Sequence, residues 1–151
     1  MISESAADYV EELYTDAKEA GATVRLSMER TGNMLSPGIL DNVHSQMRIY
    51  AEEQFGPLLP IIRVKSEAEA IAAANDSKYG LQASVFTKEY SSFIRLAQRI
   101  DAGAIQMNNK TQRGPDNFPF TGMKQSGIGT QGIRYSLRSM TRDKVIVLRH
   151  E

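Results

Sequence analysis

Gly56-Pro-Leu-Leu-Pro-Ile-Ile-Arg-Val-Lys65-Ser-Glu-Ala-Glu-Ala-Ile-Ala-Ala-Ala-Asn75 opens the stretch on which the fold turns. Leu58 to Val64 is a mostly apolar run of strand length behind a Gly-Pro breaker. Ser66 and Glu69 have the spacing of a capping box, which predicts a helix from there to about Asn75. Ala83 to Thr87 reads as a second strand. Glu89 to Ile100 reads as a second helix, because Tyr90, Phe93, Ile94, Ala97 and Ile100 fall on one face. Gly103 turns the chain, and Ala104 to Met107 is a third short strand. Strand, helix, strand, helix, strand predicts an α/β fold, a mostly parallel sheet with crossover helices.

Functional loops of such sheets lie beyond the carboxyl ends of the strands. Asn108 to Gly129 occupies that place, and it is polar, rich in Gly and Pro, and too long for a mere connection. Ile133 to Met140 follows as a short helix, and Lys144 to Leu148 as a terminal strand whose open edge suits pairing with another chain. On the other side of the opening stretch, Ala6, Val10, Leu13, Tyr14 and Ala17 mark a helix that Gly21 stops. Thr23 to Leu26 is a short strand, and Thr31 to Gly38 is loop-like.

Composition narrows the chemistry. The 151 residues suit a compact domain, and 18 basic against 18 acidic side chains give no basic excess for nucleic acid. There is no cysteine and only His44 and His150, so thiolate nucleophiles, disulfides and Cys-ligated metals are excluded, and a His-dependent triad lacks parts. No apolar run approaches the ~20 residues of a membrane span. Met-Ile-Ser-Glu-Ser lacks the basic and apolar regions of a signal peptide, so the expected location is cytoplasmic.

Four stretches in register resemble the aldehyde dehydrogenase family. Leu40-Asp-Asn-Val43, Met47-Arg48 and Glu52-Glu-Gln-Phe-Gly-Pro57 resemble the run that ends in E-x-F-G-P. Asn75, Tyr79-Gly-Leu81, Ala83 and Val85-Phe-Thr87 are similar to its N-x-x-x-Y-G-L-x-A-x-V-F-T segment. Gly103 with Asn108-Asn109 resembles its G-x-x-x-x-N element. Pro119-Phe-Thr-Gly122, Lys124, Ser126-Gly127 and Gly129 are similar to its P-F-G-G-x-K-x-S-G-x-G signature. Departures fall at Thr121, where Gly is usual, and at Thr130, often Arg. Within the family, Asn108 to Phe120 and Gln131 to Ser136 most resemble the NADP-dependent, non-phosphorylating glyceraldehyde-3-phosphate dehydrogenases.

The resemblance implies a portion of the family's catalytic domain over 1–137 and an oligomerisation strand over 138–151, the distal third of an enzyme. It implies oxidation of glyceraldehyde 3-phosphate to 3-phosphoglycerate with NADP (NAD being possible) in a homo-oligomer. In that chemistry a cysteine thiolate attacks the carbonyl, hydride passes to the nicotinamide, and a glutamate activates the hydrolytic water. This chain supplies neither cysteine nor base, so it is expected to be inactive by itself. Two further readings stay open: a fragment acting on another small aldehyde, such as lactaldehyde or succinic semialdehyde, and a non-catalytic binding module with the same fold.

Five residues are candidates. Glu53 reads from physics alone as a solvated carboxylate; the resemblance implies an acceptor for the nicotinamide-ribose hydroxyls. Phe55 either packs near the nicotinamide ring or is an ordinary core aromatic. Arg113 is a surface arginine or the guanidinium that grips the substrate phosphate at two points. Phe120 lines the substrate tunnel or the core, and Asn109 orients the substrate loop by bonding backbone. Gly122, Gly127 and Gly129 read as backbone turns. Gly127-Ile-Gly-Thr-Gln-Gly132 fits G-x-G-x-x-G but follows a polar stretch, so it is not a dinucleotide fingerprint.

Overall fold

In the computed structural model, which describes residues 1–150, the chain divides into two compact units, Met1–Ser66 and the residues from Glu67 onward. The first unit is organised by helix α1 (Glu4–Glu19). Its start is set by Ser3, whose hydroxyl accepts the Ala6 N–H at 3.1 Å. Ala7, Val10, Leu13, Tyr14 and Ala17 form its buried face, and Gly21, at a φ of +101°, turns the chain after it. Strands β1 (Thr23–Leu26), β2 (Arg30–Thr31), β3 (Met34–Leu35) and β4 (Gly38–Asp41) follow, then a single helical turn α2 (Arg48–Ala51) and strand β5 (Leu58–Pro60). The sheet order is β1-β4-β5, with β1 antiparallel to β4 and β4 parallel to β5 across α2. The core lies between α1 and this sheet, with Leu40, Val43, Met47, Ile49 and Leu58 against the helix residues.

The second unit contains α3 (Glu67–Asn75), β6 (Tyr79–Gly80), β7 (Gln82–Val85), α4 (Tyr90–Ala97) and β8 (Ala104–Met107). Strands β7 and β8 pair in parallel from Gln82↔Ala104 to Val85↔Met107, with α4 as the crossover. Beyond them come β9 (Phe120–Thr121), β10 (Met123–Lys124), β11 (Thr130–Gln131) and α5 (Ile133–Ser139). Two-residue antiparallel bridges join β10 to β6 and β11 to β9.

Elements with a local signature stand where the sequence puts them: all four anticipated helices and the strands at 23–26, 58–60, 82–85 and 104–107 are present. Three differences have non-local causes. The strand at Leu58 pairs with Gly38–Asp41 and not with the later strands, so parallel pairing occurs once in each unit. The breakers at Gly32 and Asn33 are the tip of a tight β2–β3 hairpin, with Gly32 at φ +58°, and they hide the strand that follows them. Lys144 to Leu148 is not a strand here. Residues 141–150 have no regular secondary structure, and Val145, Ile146, Val147 and Leu148 are exposed. An apolar, β-prone segment becomes a strand only when another backbone supplies the ladder.

Candidate functional site

In the first unit the site is the loop between α2 and β5. Its two adjacent glutamates behave oppositely. The Arg48 guanidinium holds the Glu52 carboxylate with a fork, Nε to Oε1 at 2.9 Å and Nη2 to Oε2 at 3.0 Å, and the Tyr9 hydroxyl donates to Oε2 at 3.0 Å. The Arg48 backbone N–H donates to Asp16 at 3.1 Å, so the short helix is capped from α1. Glu53 is exposed, and no hydrogen bond or ion pair engages its carboxylate among the described residues.

Phe55 sits at φ +31°, an unfavourable region for a bulky side chain, and its ring is 82% exposed. It is therefore not a core aromatic of this chain. The bend is enforced by its neighbours. A Cβ on Gly56 would lie 2.8 Å from Val10 Cγ2, inside the core of α1, so only glycine lets the backbone approach so closely. The Gln54 amide donates to the Leu58 carbonyl at 3.1 Å and closes the loop.

A second feature anchors the strand ends that carry this loop. Asp41, 1% exposed at the end of β4, accepts two bonds from Arg63 at 2.8 and 2.7 Å and one from Arg25 at 3.0 Å. Hydrogen bonding from Arg63, helped by Arg25 and the Asn42 N–H, holds its carboxyl well below the usual carboxylate range against the opposing effect of burial. By contrast, the open groove of about 630 Å³ along α1 is lined by Asp8, Glu11, Glu12, Asp16 and Glu19, with Thr15 and Arg48. Its five carboxylates repel an anionic ligand, and it touches none of the candidate residues.

In the second unit the candidate loop is tied down mainly through backbone. Asn108, at φ +51°, accepts the Thr87 N–H at 2.9 Å and donates to the Thr87 carbonyl at 2.8 Å. Asn109 bonds more locally, its Oδ1 accepting the Lys110 N–H at 2.9 Å while its carbonyl accepts from Ser84 at 2.6 Å. The side chain that grips a distant backbone is thus Asn108, and its left-handed φ is the signal that sequence reading lacked. Arg113 and Phe120 are brought together, the guanidinium 5.4 Å from the ring centroid. Arg113 also reaches Asp116 at 3.4 Å. That pair is exposed and worth about 0–1 kcal/mol, so a doubly charged oxyanion can displace it. Arg134, in the first turn of α5, is exposed and makes no ion pair among the described residues. The α5 entry is joined to this loop, since the Ile133 N–H donates to the Asp116 carbonyl at 3.2 Å.

Residues 1–146 match the model of the aldehyde dehydrogenase family. The chain belongs to that family. The NADP-dependent glyceraldehyde-3-phosphate dehydrogenase of Streptococcus equinus is 52% identical over 147 residues, which is 97% of this chain and 31% of the relative. The enzyme of that description from Pisum sativum is 47% identical over 148 residues, 98% of this chain and 30% of the relative. Among solved structures, NADP-dependent glyceraldehyde-3-phosphate dehydrogenase from Bacillus halodurans C-125, complexed with NADP, superposes with a TM-score of 0.93 at 51% identity. It covers 98% of this chain and 31% of its own. The chain therefore spans somewhat under a third of the length of the relatives it matches.

The geometry explains why the aldehyde dehydrogenase signature has these residue types. Asn75 clamps the end of α4, donating to the Arg99 carbonyl and accepting the Asp101 N–H, each at 2.8 Å. The Lys124 ammonium donates to the carbonyls of Asn75 and Ser77 at 2.8 and 2.9 Å, and the Ser126 hydroxyl accepts the Gly80 N–H at 2.9 Å. A Cβ on Gly103 would collide with the Thr121 carbonyl oxygen, and one on Gly122 would lie 2.6 Å from Ser126 backbone. Gly129, at φ +80°, needs its left-handed backbone, whereas Gly127 has nothing nearer than 3.9 Å. The two departures from the signature, Thr121 and Thr130, are register partners in the β9–β11 bridge. They form a cross-strand threonine pair, and Thr121 also donates to the Gly129 carbonyl at 2.8 Å. Gly132 caps only a seven-residue helix after β11, so the G-x-G-x-x-G run is no dinucleotide turn. Among the described residues no cluster of His, Cys, Asp or Glu could hold a metal, and no helix is long and apolar enough to cross a membrane.

Proposed function

We propose that this chain contributes a cofactor-ribose contact and a phosphate-reading loop to an enzyme that oxidises glyceraldehyde 3-phosphate to 3-phosphoglycerate with NADP. Its setting on this reading is cytoplasmic and glycolytic. The observation that carries the substrate is the exposed Arg113 guanidinium, held over Phe120 by a weak ion pair, in a chain 52% identical over 147 residues to a relative that bears this name. A planar guanidinium offers two parallel N–H donors to a phosphate. On the cofactor side the residues present fit: a free, exposed Glu53 carboxylate is an acceptor-only group, suited to the two hydroxyls of a ribose. The exposed Phe55 ring stands two residues away for an apolar contact. NADP, when bound, supplies the hydride acceptor. Cysteine is absent from this chain, so the nucleophile comes from the other two-thirds of the enzyme. The exposed Val145 to Leu148 segment supports a homo-oligomer in which another subunit provides its ladder.

The test joins these residues to the remaining two-thirds of the Bacillus halodurans relative and compares two aldehydes. Arg113→Ala should raise KM for glyceraldehyde 3-phosphate by about tenfold to a hundredfold, the loss of a charge-assisted contact, with little change for unphosphorylated glyceraldehyde. Equal losses on both would make Arg113 a structural residue.

A further inference from the structure

Glu52 and Glu53 are indistinguishable by type and adjacent in sequence, yet one carboxylate accepts three hydrogen bonds from two residues and the other is free. The backbone between them is extended, with Glu52 at φ −90° and ψ 136°. In extended backbone, successive side chains point to opposite sides. Holding one therefore aims the other. The hold on Glu52 is built from separate parts of the unit. Arg48, four residues earlier, supplies both N–H donors of a fork, and Tyr9 of α1 supplies a hydroxyl. Arg48 is itself set by α1, through the bond from its backbone N–H to Asp16 and an ion pair to Glu12 at 3.9 Å. The fork pushes the Arg48 pKa upward, mainly through the Glu52 hydrogen bonds, as a tightly shared charge requires.

We infer that Glu52 is a positioning residue, gripped by Arg48 and Tyr9 so that Glu53 is turned outward as a preoriented acceptor. This rests on the ribose reading of Glu53 above. The energetic logic is preorganisation: an acceptor already aimed loses less freedom when its ligand arrives. The Gln54 amide bond to the Leu58 carbonyl and the close approach of Gly56 to Val10 fix the far side of the same loop, so Glu53 sits between two anchored points.

The experiment uses the assembled enzyme, this chain joined to the remainder of the Bacillus halodurans relative, and measures NADP dissociation constants by calorimetry beside aldehyde KM and thermal midpoints. Glu53→Gln and Glu52→Gln should each weaken NADP about tenfold, the size of one charge-assisted hydrogen bond, and leave aldehyde KM unchanged. The double variant should be no more than about twofold weaker than Glu53→Gln, because an acceptor that is gone cannot be misaimed. Tyr9→Phe, which keeps the ring and removes one donor, should weaken NADP about threefold. Arg48→Lys, which keeps the charge and loses the fork, should fall between them. These two milder variants carry the cycle if Glu52→Gln fails to fold. A multiplicative double variant, or normal NADP binding in Glu52→Gln and Tyr9→Phe beside a weakened Glu53→Gln, overturns the positioning role and leaves the ribose reading standing. Normal NADP binding in Glu53→Gln overturns the ribose reading and the positioning role with it.

Discussion

The two units hold their loops by different physics. In Met1–Ser66 the loop carrying Glu53 and Phe55 is pressed on a true core. Ala7, Val10, Leu13 and Leu40 are fully buried, and Gly56 touches Val10 directly. In the unit from Glu67 onward, Ile71 is the one buried apolar side chain among the described residues. Its loop carrying Arg113 is held by side-chain-to-backbone bonds and glycine contacts: Asn108, Lys124 and Ser126 bond to backbone, and Gly103 and Gly122 permit close approach. Packing tolerates modest changes in shape when total volume is kept, whereas a backbone contact at glycine has no slack. The first unit, which alone has a large buried core to lose, should thus be the more sensitive to lost volume, and the second should fail chiefly by gaining a methyl group.

The largest effect is expected in the first unit. Leu13→Ala removes a fully buried side chain and should destabilise Met1–Ser66 by about 2–5 kcal/mol. Amide exchange checks it: protection should collapse across the first unit, and equal loss of protection in both units would merge them into one cooperative body.

In the second unit the sharpest contrast lies between two signature glycines. Gly103→Ala drives a Cβ into the Thr121 carbonyl and should destabilise by about 3 kcal/mol, the upper end of overpacking. Gly127→Ala meets open space and should stay within about 0.5 kcal/mol. Urea unfolding of the two variants reads the difference directly. Similar stabilities would show that close approach is not what holds this loop.

The smallest effect separates the units by pH. Asp41 has its pKa depressed by Arg63 and Arg25, so the stability it contributes is fully present above the unfolded carboxyl value of about 4. That contribution fades as pH falls below this value toward the folded pKa. Asp41→Asn should therefore lower the melting midpoint at pH 7, and the gap to the unchanged chain should narrow as pH drops below about 4. A gap constant from pH 7 to pH 3 would mean that Asp41 acts by shape alone.

Local pattern decided what each segment is. The 3.6-residue spacing of Ala6, Val10, Leu13, Tyr14 and Ala17 marks α1 without any partner, although Ala7 is the residue buried at its start; a like spacing marks α4, and the Ser66–Glu69 spacing marks α3. Spaced motifs with glycines and amides likewise determined the family. Strand-helix-strand order also anticipated the parallel β7–β8 pair across α4, but which strand Leu58–Pro60 joins, and what pairs the last apolar segment, sequence alone left open. Gly38–Asp41 lies hidden behind a hairpin tip, and its parallel partnership with Leu58–Pro60 depends on a ladder that no single segment encodes. The strand expected at Lys144 to Leu148 has the right composition and no ladder. Two neighbouring glutamates look alike on paper; only Tyr9, 43 residues away, and the Arg48 fork decide which is held and which is free. Periodicity is a property of one segment and its solvent, but pairing and partner choice belong to contacts between residues far apart in the chain, and only the tertiary structure makes those contacts.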